Sequence, residues 1–176
     1  MRTMPIRPAT PEDSPAIAAI YDAAVLAGTA SFEIDPPGPE EMARRQQAII
    51  EAGYPFLVKE EDGAVVGYAY ASAFRPRVAY WNTVENSIYV DDRMHGRGIG
   101  KALLQALLEA CEARDFRQMV AVIGDSGNTG SIALHRACGF APIGILPATG
   151  FKHGRWIDTV LMQRALGPGA TTLPSR

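Results

Sequence analysis

Cysteine is nearly absent: Cys111 and Cys138 are the only two in 176 residues. Both lie in segments with helical spacing, which excludes a disulfide framework and points to a reducing compartment. The three histidines, His95, His135 and His153, are scattered with no Cys/His spacing suited to zinc, so the expectation is a metal-free protein. Neither sign of charge dominates: 17 Lys and Arg against 19 Asp and Glu give a net charge of −2. That balance removes the electrostatic case for nucleic acid as the main partner. No run approaches the ~18 apolar residues of a membrane span, and the opening MRTMPIRPATPED lacks the apolar core of a signal peptide. A cytoplasmic location away from membranes is expected. What remains is an ordinary globular composition, 47% hydrophobic, long enough for one well-packed domain over residues 1–166. The closing GPGATTLPSR, residues 167–176, has the composition of a mobile tail.

The pattern along the chain is mixed. Met4–Arg7 reads as a short strand, and Thr10-Pro11-Glu12-Asp13 as the capped start of a helix with Ile17, Ile20, Tyr21 and Ala24 on its apolar stripe. A loop, GTASFEIDPPGP (28–39), leads to a second helix from Pro39 to about Ala52. Pro55–Lys59 and Val65–Ser72 form a hairpin turning at Glu61-Asp62-Gly63, and FRPRVAYWN (74–82) is a proline-broken linker. In the strand TVENSIYV (83–90), Val84, Ile88 and Val90 alternate with Glu85, Ser87 and Tyr89, so the two sets face opposite sides of a sheet. A helix with Leu103, Leu104, Leu107, Leu108 and Cys111 on one face follows. Then come a strand at Met119–Ile123, a short helix from about Asn128 to Ala137 closed by Gly139, and strands near Pro142–Pro147 and Trp156–Arg164.

The most informative stretch is HGRGIGKALL (95–104), where glycines precede an apolar helix. Such a loop offers backbone N–H groups to a phosphate at the positive end of the helix dipole. It is not a Walker loop, because His95 stands at the required first glycine and Ala102 at the Ser/Thr. It is not a dinucleotide fingerprint either, because the third glycine falls at 100 instead of 101.

VDDRMHGRGIGKALL resembles the pyrophosphate loop of the GCN5-related N-acetyltransferases, Arg/Gln-x-x-Gly-x-Gly/Ala, with Gly98 and Gly100 at the glycine positions and His95 where Arg or Gln is usual. SGNTGSIALHRACGF (126–140) resembles the second motif of that superfamily, and TVENSIYV, TASFEIDPP and GFKHGRWIDTVLMQR resemble its phosphinothricin and methionine sulfoximine acetyltransferase branch. The resemblance spans roughly residues 4–165. It implies an α+β fold whose mixed, mostly antiparallel sheet is splayed at the middle strand and flanked by helices on both faces. It also implies acetyl-CoA as co-substrate, a small-molecule amine as acceptor, direct transfer in a ternary complex, and a homodimer.

On that reading His95, Gly96, Arg97, Gly98, Ile99, Gly100 and Lys101 hold the pyrophosphate, with Asn128 and Ser131 nearby. Ser87, Ile88, Tyr89 and Val90 pair with the pantetheine arm as though it were a strand. Glu85 takes the place of the glutamate held to deprotonate the amine; its alternative is a strand-surface carboxylate in a salt bridge. His135 is either the acid that assists thiolate departure or a packing residue of its helix. Arg75 and Arg77 either pair with a substrate anion or are solvated loop charges. Phe32, Phe74, Tyr80 and Trp81 wall the pocket, or belong to core or dimer contacts; Thr83, Lys152 and His153 complete the substrate side. The rival functions are acetylation of another amine, such as a polyamine, an aminoglycoside or a protein N-terminus, and a non-catalytic acyl-CoA sensor.

Overall fold

The structure is a computed structural model that describes residues 5–175. In chain order it comprises β1 (Ile6–Pro8), α1 (Ser14–Ala27), α2 (Pro39–Glu51), β2 (Phe56–Glu61), β3 (Ala64–Ala73), β4 (Thr83–Val90), α3 (Ile99–Glu112), β5 (Gln118–Gly124), α4 (Thr129–Ala137), β6 (Ala141–Lys152) and β7 (Arg155–Ala165). Met4, expected to open β1, lies outside the described residues.

The helix expected from Thr10 begins instead as a 3-10 turn at Pro11–Asp13, where the Asp13 carboxylate accepts from the Thr10 N–H at 2.7 Å. Arg7 donates to both Asp13 oxygens at 2.8 Å and to Glu60 at 2.6 Å, which ties this turn to β1 and β2. Arg7 holds the Asp13 carboxyl below its ordinary pKa. β6 runs through Pro147 to Lys152, five residues beyond its expected end, because an edge strand tolerates prolines that cannot donate to a ladder. His153 and Gly154 then make a two-residue turn with φ of 51° and 72°, the geometry that joins twisted antiparallel strands tightly.

All seven strands form one sheet in the order β1-β2-β3-β4-β5-β7-β6, and only the β4–β5 pair is parallel. That pairing ends at Asn86 with Ala121, while β4 continues to pair with β3 as far as Val90. The sheet therefore splays beside residues 87–90. Helices cover both faces. On one, α1 and α2 bury Ile17, Val25 and Met42 against Phe56, Val58 and Tyr68. On the other, Leu103, Leu104, Leu107 and Leu108 of α3 pack on Val84, Met119, Ala121 and Met162. The alternation read from TVENSIYV is realised: Val84, Ile88 and Val90 face the α3 side, and Tyr89 the α1 side. At the C-terminus, the Arg117 guanidinium donates to Gly169 O, Thr172 Oγ1 and Leu173 O, holding part of the segment whose composition reads as a tail against β5.

Candidate active site

The splay opens into a cavity of about 1210 Å³ that runs from the α3 N-terminus to the loop after α1. At one end lie Gly96, Gly98, Ile99, Gly100 and Lys101. Gly98 is the N-cap of α3 with φ of 79°, a left-handed conformation, and no side chain caps the helix there. The first-turn N–H groups thus point at the cavity without a side-chain acceptor, which is what a pyrophosphate needs. His95 lines this end and its Nε2 sits 3.0 Å from Val90 O, so the ring ties the loop to the end of β4. Arg97 turns away to pair with Glu61 at 3.0 Å and does not line the cavity.

The middle is the unpaired edge of β4. Asp91 N–H donates to Val66 O on the β3 side. By strand alternation the N–H groups of Val90 and Ile88 point the other way, into the splay. An extended amide-bearing chain such as pantetheine fits an edge of this kind. Asn128 caps α4 by accepting from Ser131 N–H at 3.2 Å, and both residues line the cavity.

Glu85 lines the cavity from the α1 side, opposite Ser72 of β3. Burial pushes its carboxyl above the ordinary glutamate pKa, and the charge of Arg75 opposes that rise. Asn86 projects to the opposite face, where its amide lies 3.0 Å from His135 Nε2. His135 is buried, and its Nδ1 donates to Ser131 O at 2.8 Å. Burial holds the His135 pKa below its ordinary value, so the ring is neutral at pH 7 and carries one proton, at Nδ1. Its Nε2 faces Asn86 Oδ1, and exchanging the O and N of that amide turns the contact into an N–H···N bond and gives the otherwise unpartnered Asn86 Nδ2 an acceptor.

The far end is walled by Tyr21, Thr29, Ser31, Phe32, Glu33 and Tyr70. The Tyr21 hydroxyl lies 2.8 Å from Ser31 Oγ and donates to Glu33 at 2.6 Å; burial pushes the Tyr21 phenol up to about 12. Arg45 grips Glu33 through two bonds of 3.1 and 2.8 Å and holds its carboxyl below the ordinary range.

Phe32 is the one residue expected on the substrate side that lines the cavity. Phe74, Arg75 and Arg77 sit on the β3–β4 connection and Thr83 opens β4, all outside the lining, with Arg75 stacked on the Phe74 ring. Lys152 is buried behind the wall and donates to Ser31 O at 2.9 Å, while His153 Nε2 lies 3.3 Å from Gly28 O. Sequence reading missed Tyr21, Ser31, Glu33, Tyr70 and Asn86. Tyr21 reads as apolar stripe, and only the Tyr68/Tyr70 alternation in GYAYAS signals a phenol on the Glu85 face.

A glycine-capped helix beside a splayed parallel strand pair sets an anion site next to an open strand edge, as a co-substrate bearing both phosphates and amides requires. The profile of the acetyltransferase (GNAT) family matches residues 17–140, and the chain belongs to that family. It is similar to a phosphinothricin N-acetyltransferase of Alcaligenes faecalis, with 52% identity over 96% of this chain and 86% of the relative. It is also similar to an L-methionine sulfoximine/L-methionine sulfone acetyltransferase of Pseudomonas paraeruginosa, with 44% identity over 93% and 95% of the two chains. The crystal structure of a GNAT superfamily phosphinothricin acetyltransferase from Sinorhizobium meliloti in complex with AcCoA superposes with a TM-score of 0.95 at 51% identity, covering 99% of this chain and 94% of that one.

Proposed function

We propose that this acetyltransferase acetylates the α-amine of a small amino-acid analogue (phosphinothricin, methionine sulfoximine or methionine sulfone) by direct transfer in a ternary complex. The observation that carries the reading is one continuous cavity with a helix-borne anion site at one end and the half-buried carboxyl of Glu85 beyond the β4 edge. Acetyl-CoA, when bound, supplies an activated acetyl group. Glu85 accepts the proton of the attacking amine; its raised pKa brings it closer to that of an effective base at neutral pH. The N–H groups of Ile88 and Val90 hold the chain of the co-substrate and polarise its carbonyl. His135 acts as a positioning residue for Asn86 and α4, since its only N–H is committed to Ser131 O. A thiolate with a conjugate pKa near ~8.5 by analogy with cysteine departs without strong acid help.

Arg75 lies outside the cavity lining, but its charge reaches Glu85, and a guanidinium suits the carboxylate or phosphinate of such an acceptor. One observation favours a second reading. Glu33 and Glu85 both line the far end, and no Lys or Arg joins them among its described lining residues, an arrangement that also suits a cationic amine.

The enzyme works as a homodimer in the cytoplasm. Edge strand β6 and its neighbour β7 expose Ile143, Ile145, Leu146, Phe151 and Trp156, and no charged residue interrupts β6 before Lys152. Pro142 and Pro147 interrupt the β6 ladder, but an exposed apolar face of that length is what a second copy would cover.

The test is CoA release from acetyl-CoA with phosphinothricin, methionine sulfoximine, methionine sulfone, spermidine and kanamycin, each assayed separately. Selective turnover of the first three is expected. Turnover of spermidine or kanamycin alone would replace the acceptor and keep the cofactor.

A further inference from the structure

The wall of the acceptor end, residues 28–34, belongs to no helix or strand and has no ladder of its own. It is held from behind, by residues remote in sequence. The Lys152 ammonium is buried and donates to the Ser31 carbonyl at 2.9 Å. A lysine this enclosed loses hydration, so the bond that remains is a charge-assisted one in a low-dielectric setting. Burial lowers the Lys152 pKa, and the Glu33 carboxylate opposes that change, which places Glu33 within electrostatic reach of the ammonium. Two close approaches dock the same loop. A Cβ on Gly150 would overlap the Phe32 ring, and one on Gly124 would overlap the Thr29 carbonyl oxygen. Thr29 Oγ1 also donates to Asp125 at 3.2 Å, and Asp125 in turn pairs with Arg155 of the same hairpin as Lys152.

The residues positioned this way, Ser31, Phe32 and Glu33, are among those that line the cavity beyond Glu85. Neither Lys152 nor Gly150 lines the cavity, whereas Gly124 and Asp125 do. We infer that Lys152 is a specificity-determining positioning residue: by holding the Ser31 carbonyl, the β6–β7 hairpin sets the shape of the acceptor pocket without contacting the acceptor. The inference rests on the reading that this end takes the amine.

The experiment compares wild type, Lys152→Met and Gly150→Ala in the full-length enzyme. The second variant disturbs the same loop through Phe32 while leaving the lysine in place. Two readouts are taken: steady-state kinetics with whichever amine the wild type acetylates, and amide hydrogen exchange of residues 28–34 with no substrate present. In both variants the acceptor KM is expected to rise tenfold or more, with the KM for acetyl-CoA within twofold of wild type and exchange across 28–34 faster. Unchanged exchange in Lys152→Met overturns the anchoring role. Faster exchange with an unchanged acceptor KM overturns the specificity role. A parallel rise in both KM values would mean general loosening and also overturns it. Because exchange needs no acceptor, a wrong choice of amine is distinguishable from a wrong role for Lys152.

Discussion

The two ends of the cavity are built by different means. On the proposed reading the cofactor end is mostly one stretch of chain, Ser87 to Lys101, joined by the start of α4 at Asn128 and Ser131, and its working groups are backbone N–H of a strand edge and a helix start. The acceptor end draws on α1, the 28–34 loop, β3 and the start of β4, with the β6–β7 hairpin bracing it from behind. Backbone donors recognise what every reaction of this kind shares, a pyrophosphate and a pantetheine amide. Side chains on a separately docked loop can change without disturbing that half. The difference explains how one fold keeps its donor while its acceptors diverge.

Breaking the chemistry between the two ends should have the largest effect. Glu85→Gln is expected to lower kcat by about 10²–10⁴-fold, the range for loss of a general base, with acetyl-CoA affinity by calorimetry unchanged. In the wild type, activity should fall as pH drops through the Glu85 pKa and the base becomes protonated. Because burial raises that pKa, the acid limb of kcat should lie above the ordinary glutamate value. A limb at or below that value would remove Glu85 from the role.

A change confined to the cofactor end should be smaller and one-sided. Gly98→Ala places a Cβ at φ of 79°. The left-handed region costs about 1–2 kcal/mol for such a residue; without co-substrate the loop is expected to relax out of it, so the cost falls on the bound state as about tenfold in acetyl-CoA affinity, and the acceptor KM should stay put. It is the mirror image of Lys152→Met, and a double variant should show the two effects as additive.

His135→Ala sharpens the comparison at the seam. Losing the ring frees Asn86 and the Ser131 carbonyl, so the acetyl-CoA KM should rise several-fold while kcat falls by less than tenfold. A drop in kcat on the scale of Glu85→Gln would restore His135 as the acid.

The smallest effect on activity should come from a site remote from both ends. Asp13→Asn breaks the Arg7 pair and is expected to cost about 2 kcal/mol of stability, read from denaturant midpoints, with kinetic constants near wild type. The Asp13 pKa is depressed in the folded state, so its contribution is present above the unfolded-state pKa and fades as pH falls through the folded one. The difference in stability between Asp13→Asn and wild type should therefore shrink in acid.

Much of this molecule is written locally. The alternation of TVENSIYV, the glycine start of α3 and the Asn128 cap of α4 each depend on neighbours a few residues away, and each appears where the pattern places it. Such features follow from strand and helix periods and from orphaned helix N–H groups, which a sequence displays directly. Tyr21 shows the limit: helical spacing marks it as core, and only the packing of α1 against the 31–33 loop gives its hydroxyl Ser31 and Glu33 as partners. Arg97 shows it again, since its place in a phosphate loop says nothing of Glu61 across the β2–β3 hairpin. Lys152 is the sharpest case. The sequence determined that a lysine stands at the turn of GFKHG; the tertiary structure decided that its ammonium faces inward, to a carbonyl 121 positions earlier in the chain. A side chain's chemistry is fixed by its identity, but what it acts upon is fixed by which surfaces the fold brings within about 3 Å, the reach of a hydrogen bond.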